Sequence, residues 1–353
     1  MVERNGKIRV AVMMGGFSSE REVSLSTGKQ ILESLNAEKY EAIGVDAALL
    51  PGTNRRCVNA GQSIKALEKA CDEISGSNSL VSVQEIAGTE SDLRPDVVMI
   101  ALHGRYGEDG TVQGLLELLG IPYTGSGVLA SALAMDKAMA KKVLAADGVR
   151  VPPSVDLICI NGTWDEAAVA DSVAAMGYPV IVKPSRQGST IGMTKVNGPG
   201  ELNNAIREAV CYDKQIIIEK FVVGTELTIG VLGNDEPFAL PVIEIVPSTG
   251  FYDYEAKYTP GATEEIVPAR ISPEATAMAQ DMAVRSHMSL GCRGVSRTDI
   301  IVAEDGMYVL EVNTIPGMTP TSLLPQAAKA AGISFDKLLD MLIEFALEEG
   351  TDR

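Results

Sequence analysis

Two uninterrupted apolar runs in the first third of the chain do most to limit what it can fold into. "KIRVAVMMGG", Lys7 to Gly16, reads as a buried strand ending in a glycine pair, and "DVVMIALHG", Asp96 to Gly104, as a second. Helical periodicity follows the first, from Ser24 to Leu35. "TVQGLLELLG" after the second reads as a helix closed by Gly120. Strand–helix alternation of this kind predicts a mostly parallel sheet with helices packed on it. The stretch from Ala47 to Arg94, with its Gly/Ser/Asn-rich patches, fits no such pattern and is read as peripheral.

A second unit begins near "TGSGVLASALAMDKAMAKKVLAADGV", whose helix carries Lys137, Lys141 and Lys142 and stops at Gly148. "GYPVIVKP" and "QIIIEKFV" are strands flanking a polar helix near Glu201–Val210. A third unit has alternating strands from Glu226 through Val246, a helix at about Pro273–Ser289, a hairpin and a helical tail. The layout predicts an α/β protein of three domains, divided as 1–125, 126–220 and 221–353.

Composition removes several function classes. The net charge of −17 argues against a nucleic-acid or anionic-membrane surface. Cys57, Cys71, Cys159, Cys211 and Cys292 are scattered without CxxC spacing, as expected of reduced thiols in a cytoplasmic protein. With only two histidines a histidine-rich metal site is excluded. The apolar runs fall far short of the ~18 residues that span a bilayer.

The most informative segment is "RTDIIVAEDGMYVLEVN", Arg297 to Asn313. It reads as two strands joined by a three-residue Glu304-Asp305-Gly306 loop, with glycine in the left-handed position. In that register Ala303 faces Met307, Asp299 faces Glu311, and Arg297 faces Asn313. Alternation puts the four polar side chains on one face at the open end of the hairpin. Carboxylates directly opposite one another destabilise a sheet unless something positive lies between them. Two carboxylates and an amide oxygen suit a hard cation such as Mg²⁺, and Arg297 beside them suits a phosphate. The alternatives are an exposed hairpin whose acids face water, or a two-residue turn whose shifted register separates them.

"VIVKPSRQGSTIGM" places Lys183 at a strand end, ahead of a Ser/Gly loop able to wrap phosphate oxygens. Its lysine precedes the glycines, so it is no Walker A loop; a plain surface turn is the alternative. In "IIIEKFVVGTE", Glu219, Lys220 and Glu226 surround a strand exit. In "GGFSSEREVSLSTG", Ser19 and Glu22 fit a capping box, leaving Glu20 near the helix start. His103 closes a buried strand. "NTIPGMTPTSLLP" could offer the Gly317 N–H to an oxyanion and Ser322 to a carboxylate, or be only a Pro/Gly/Thr-rich loop.

In order, these segments resemble the D-alanine–D-alanine ligases of the ATP-grasp superfamily. The strings that carry the resemblance also include "ALHGRYGEDGTVQGLLELLGIPYTGSG", "SALAMDK", "FYDYEAKYTPGATEE" and "LEVNTIPGMTPTSLLPQAAKAAGISF". The resemblance implies a three-domain ATP-grasp architecture with an N-terminal, mostly parallel α/β domain. It implies an enzyme that phosphorylates one D-alanine with ATP and joins the acyl phosphate to a second, feeding peptidoglycan synthesis.

Lys137 and Lys183 would be phosphate ligands, Glu219, Lys220 and Val222 would sit at the adenine, and Glu226 at the ribose. Asp299, Glu311 and Asn313 would hold two Mg²⁺ ions, with Mn²⁺ a possible substitute. Arg297 and Gly317 would stabilise the transferring phosphoryl group and the oxyanion. Glu20 would hold the first substrate's ammonium, with Val23 and His103 lining its pocket. Ser322 and Leu323 would receive the second substrate's carboxylate. Ser189, Lys257 and Tyr258 would belong to closing loops, with Glu20, Ser189 and Tyr258 hydrogen-bonded across domains. A homodimer is implied by the resemblance alone.

The chain departs from the family pattern at Phe17, Thr190 and Val295, none of them an expected catalytic position. Tyr258 within "YDYEAKY" favours an amine over D-lactate as the second nucleophile. Ligases for D-serine or D-lactate, and an ATP-grasp kinase, are the alternatives.

Overall fold

The structure is a computed structural model that describes residues 6–18, 20–49, 83–87, 93–247 and 261–348. β1 (Ile8–Met14), α1 (Arg21–Ser34), β2 (Tyr40–Asp46), α2 (Val83–Ala87), β3 (Val97–Ile100) and α3 (Thr111–Leu118) form the first unit. Its sheet runs β2-β1-β3 with both pairings parallel, as the continuous apolar runs require. Period two divides β1 between two cores. Val10, Val12 and Met14 join Leu25 and Ile31 of α1, while Ala11 and Met13 join Val112 and Leu116 of α3. Because β2 and β3 flank β1 on opposite sides, the chain reverses direction across the sheet there. The carboxyl ends of β1 and β3 therefore open a crevice, which is where ligands of such sheets bind.

α4 (Val128–Met135) comes next, and the helix expected to carry Lys137, Lys141 and Lys142 and to stop at Gly148 follows it as α5 (Lys137–Ala146). Asp136 separates them with an extended ψ of 93°, and its carboxylate accepts the Met139 N–H at 3.2 Å, starting α5. β4 (Ser154–Ile158), α6 (Glu166–Met176), β5 (Val180–Pro184), β6 (Thr194–Val196), α7 (Pro199–Val210) and β7 (Gln215–Lys220) follow. They make an antiparallel sheet ordered β4-β7-β5-β6. Val180, Val182, Ile216 and Ile218 pack on Val173 of α6 and Ile206 of α7.

The remaining elements are β8 (Thr225–Gly233), β9 (Phe238–Ala239), β10 (Ile243–Pro247), β11 (Thr263–Ile266) and α8 (Pro273–Ser289). After them come β12 (Gly294–Ala303), β13 (Gly306–Asn313), α9 (Leu323–Ala330) and α10 (Phe335–Glu348). The larger sheet runs β11-β10-β8-β12-β13, with β9 on β8. One face, through Leu227, Ile229 and Val231, packs on α8 and on Ala130 and Leu144 of α4 and α5. The other carries Leu232 and Ile243 into a core shared with α9, α10 and the α1 side of the parallel sheet. Asp340 of α10 fastens that junction, accepting from Tyr40 Oη at 2.8 Å and Lys39 Nζ at 2.6 Å. No helix among the described residues is long and apolar enough to cross a membrane.

Candidate active site

The two antiparallel sheets face each other across a cavity of ≈ 200 Å³. Lys137, Lys183, Ser189, Glu219, Lys220, Val222, Glu226, Asp299 and Glu311 all line it, so these sequence-predicted residues converge. Strands and a helix start place most of them. Lys137 opens α5, Lys183 and Glu219 lie on neighbouring strands β5 and β7, and Asp299 and Glu311 face each other on β12 and β13.

The hairpin reaches that geometry by a different route from the expected one. Its loop has two residues, Glu304 and Asp305, so Ala303 faces Gly306 and not Met307. A bulge between Asp299 and Ile300 on one strand and Val309 and Glu311 on the other leaves Leu310 extra. That residue restores the register, and Asp299 faces Glu311 and Arg297 faces Asn313 as predicted.

The opposed carboxylates are compensated by cations. Arg297 donates Nε and Nη2 to the two oxygens of Asp299, each at 3.0 Å, and Thr228 Oγ1 donates to Asp299 Oδ1 at 2.5 Å. Lys137 Nζ lies 3.3 Å from Glu311 Oε2 and donates to the Gln187 carbonyl at 2.9 Å. Asn313 Oδ1 accepts from the Ile315 N–H at 3.0 Å.

Glu219 is more deeply engaged than sequence reasoning allowed. Lys141 Nζ lies 2.9 Å from one of its oxygens and Lys183 Nζ 3.0 Å from the other. Burial opposes the Glu219 charge, but the two ammonium groups outweigh it and hold its pKa below the ordinary value. Burial likewise opposes the Lys183 charge, yet Glu219 and Glu311 hold that pKa above the ordinary value. Lys220 points elsewhere, donating to the carbonyls of Gly177 and Tyr178 at 3.1 Å each. Any part it takes at a bound base falls to its main chain unless those bonds break.

The loop after β5 reaches across to the parallel unit. Ser189 Oγ donates to Glu20 Oε1, joining two of the three residues expected to link the domains. Ser189 and Thr190 both hold left-handed φ angles, 52° and 57°, which cost non-glycine residues roughly 1–2 kcal/mol each. Lys257 and Tyr258 lie outside the described residues, as does Ser19. The expected capping box involves Ser19 and so lies outside the described residues. Glu20 itself occupies the cap position without a side-chain cap bond, because its carboxylate is turned to Ser189.

Val23, on the first turn of α1, is half-buried, and the buried His103 sits with Nε2 3.4 Å from Thr27 Oγ1. Both belong to the crevice side of the parallel sheet and neither lines the cavity above. Gly317, Ser322 and Leu323 also stand apart from it. A β-carbon on Gly317 would be 2.8 Å from Ser322 Oγ, which itself accepts from the Thr319 N–H at 3.0 Å. The loop carrying Gly317 borders a smaller void of ≈ 20 Å³, shared between Ile315, Pro316 and Met318 and the β3-side residues Ile100 and Thr124. It therefore lies against the crevice end of the parallel sheet.

Comparison with known proteins agrees with this arrangement. Residues 9–126 match the family model described as D-ala D-ala ligase N-terminus, and residues 143–344 that described as D-ala D-ala ligase C-terminus. The D-alanine–D-alanine ligase of Pelotomaculum thermopropionicum is 46% identical over 345 residues, covering 97% of each chain. The crystal structure of the Bacillus anthracis D-alanine–D-alanine ligase complexed with ATP aligns with a TM-score of 0.73 at 33% identity, covering 98% of this chain and 99% of that one. The VanG D-Ala:D-Ser ligase of Enterococcus faecalis aligns with a TM-score of 0.78 at 38% identity, covering 96% and 99%.

Two antiparallel sheets closing on a cavity lined by lysines and carboxylates, beside a parallel α/β unit, define an ATP-grasp fold. Within that class the chain belongs to the D-alanine–D-alanine ligase family.

Proposed function

We propose that this chain uses ATP to join two D-alanines into D-alanyl-D-alanine, supplying peptidoglycan precursors in the cytoplasm. The observation that carries the reading is that Lys137, Lys183, Asp299 and Glu311 converge on one cavity, whose lining Ser189 bonds Glu20 of the segment matched to the N-terminal family model.

Lys137 and Lys183 bind the phosphates, exchanging part of their contact with Glu311 and Glu219 for phosphate oxygens. Glu219 and the main chain around Lys220 and Val222 take the base, and Glu226 the ribose. Asp299, Glu311 and Asn313 fit Mg²⁺ because they present only oxygens, with two carboxylates opposed across one ladder position. Carboxylates keep lone pairs beyond those given to Arg297 and Lys137. Mg²⁺, when bound, neutralises triphosphate charge.

Glu20 holds the first D-alanine's ammonium, with Val23 and His103 along its pocket. The substrate carboxylate attacks the γ-phosphorus, the bond to the ADP oxygen breaks, and Arg297 stabilises the transferring charge. The amine of the second D-alanine, whose carboxylate is held by Ser322 and Leu323, attacks the acyl carbon. The Gly317 N–H and Arg297 meet the oxyanion, phosphate leaves, and the former amine loses its proton. Acyl phosphates hydrolyse, so water must be kept out. The Ser189–Glu20 bond holds the loop closed over the site, with Lys257 and Tyr258 completing the cover.

Incubation with Mg-ATP and D-alanine, with products identified by mass, tests the reading. One phosphate released per D-alanyl-D-alanine is expected. A stable phosphorylated product, turnover independent of D-alanine, or preference for D-serine or D-lactate as second substrate would overturn it. A homodimer belongs to the same reading, and sedimentation as a monomer at assay concentration would remove it.

A further inference from the structure

Lys141 was visible in the sequence only as one of three lysines on a helix, and nothing in the reaction calls for it. Its position is nevertheless costly. Its side chain is 4% exposed, as is that of Glu219, and burial depresses its pKa against the pull of Glu219. A buried ammonium persists only where a partner compensates it. Lys141 lies behind Glu219 and does not line the cavity, so its ammonium has no direct route to a nucleotide there.

The pair also joins two bodies. Lys141 is on α5, whose Ala140 and Leu144 pack with the larger sheet, while Glu219 is on β7 of the four-stranded sheet. The N-terminus of α5 is tied to the same smaller sheet. The Lys137 N–H donates to the Ser185 carbonyl and the Ala138 N–H to Ser185 Oγ, each at 3.1 Å.

We propose that Lys141 is a positioning residue for nucleotide binding, acting through Glu219 on Lys183. The inference rests on the functional reading above. Lys141 neutralises the buried Glu219 carboxylate from one side as an ion pair at 2.9 Å, which leaves Lys183 shared between the other oxygen and the cavity. Without Lys141 the carboxylate has one remaining cation and holds Lys183 more tightly, so a bound phosphate competes for it less well.

Binding of the non-hydrolysable ATP analogue AMP-PNP with Mg²⁺, measured calorimetrically, tests this apart from turnover. Lys141→Met is expected to weaken binding roughly 10- to 100-fold, the loss typical when a residue that supports a binding group from behind is removed. At saturating ATP its KM for D-alanine should stay within about twofold of wild type. On a Glu219→Gln background the same substitution should change binding less than about threefold, because no carboxylate is left to satisfy. Lys141→Arg, which keeps the charge, should retain most of the affinity.

Unchanged AMP-PNP binding in folded Lys141→Met would overturn the inference, as would an equal loss on the Glu219→Gln background. If Lys141→Met does not fold, the Lys141→Met/Glu219→Gln pair, neutral at both positions, decides the matter. Binding much weaker than in Glu219→Gln alone then refutes the coupling. A wild-type chain that binds no AMP-PNP would overturn the functional reading as well, which separates the two failures.

Discussion

Acid should destabilise this chain in part through one imidazole. His287, in the last turn of α8, is wholly buried, with Nδ1 2.8 Å from Ser296 Oγ. Burial pushes its pKa from 6.5 down to about 4, with the Gly233 backbone acting weakly the other way. Between those values the unfolded chain binds a proton that the folded chain does not, so stability rises with pH across the window. The contribution is complete above about pH 6.5 and lost as pH falls toward 4. A shift of this size corresponds to about 3 kcal/mol in total, of which about 2 kcal/mol is lost by about pH 5. His287→Gln keeps a hydrogen-bonding side chain at Ser296 but has nothing to protonate there. Urea unfolding of both proteins at about pH 7.5 and about pH 5 compares the losses, independently of any fixed cost of the substitution. Wild type should lose about 2 kcal/mol more than the variant over that interval. Equal losses would show that His287 is already accessible to protons in the folded state, and the burial argument would fail.

Other substitutions test the site residue by residue. Arg297→Ala should cut turnover at least about 10²-fold while ATP affinity stays within about threefold, read by stopped-time assay and calorimetry; substantial residual turnover would remove Arg297 from its assigned role. Gly104 has a φ of +68°, and a β-carbon there would stand 2.7 Å from Glu20 Oε2. Gly104→Ala should therefore raise KM for D-alanine by about tenfold or more, since displacing Glu20 strikes both the first substrate's ammonium and the Ser189 bond that closes the loop, and an unchanged KM would remove Glu20 from that role. Glu311→Gln should move the Mg²⁺ concentration giving half-maximal turnover upward by about tenfold or more, and an unchanged Mg²⁺ titration would argue that the hairpin does not hold the metal.

Much of this was legible because burial writes itself into sequence. The run Val10–Met14 is apolar at every position, since both faces of β1 are covered, and Gly120 and Gly148 mark helix ends with φ of +62° and +73°. Side-chain direction was less legible. Nothing local says that Lys220 turns back to the Gly177 and Tyr178 carbonyls, because that bond depends on how β7 pairs with β5. The Glu20–Ser189 bond spans 169 residues, and it was legible only through the family resemblance, since nothing local pairs the two side chains. Lys141 had one usable signal, an apolar-face position four residues after Lys137 on a short helix, where a lysine demands a buried acid.

The metal-side hairpin shows how a site can be found through a wrong intermediate step. Counting back from a three-residue loop places Asp299 opposite Glu311, and the loop has two residues. Counted from the real turn without interruption, Asp299 would face Leu310, and the acid pair would be lost. The bulge at Leu310 corrects the count at the cost of one unpaired residue and a local kink. That residue is also useful where it falls, since Leu310 lines the cavity beside Ile301 as apolar wall between the acids and the strand exit. A bulge has no sequence mark of its own here, because Leu310 sits among Tyr308, Val309 and Val312 in an ordinary strand composition. What the bulge secures is the chemistry at the open end, where Asp299 pairs with Arg297 and Glu311, brought opposite it, pairs with Lys137. The site therefore constrains the strand more tightly than the turn does, and the functional pairing was the safer guide to the register.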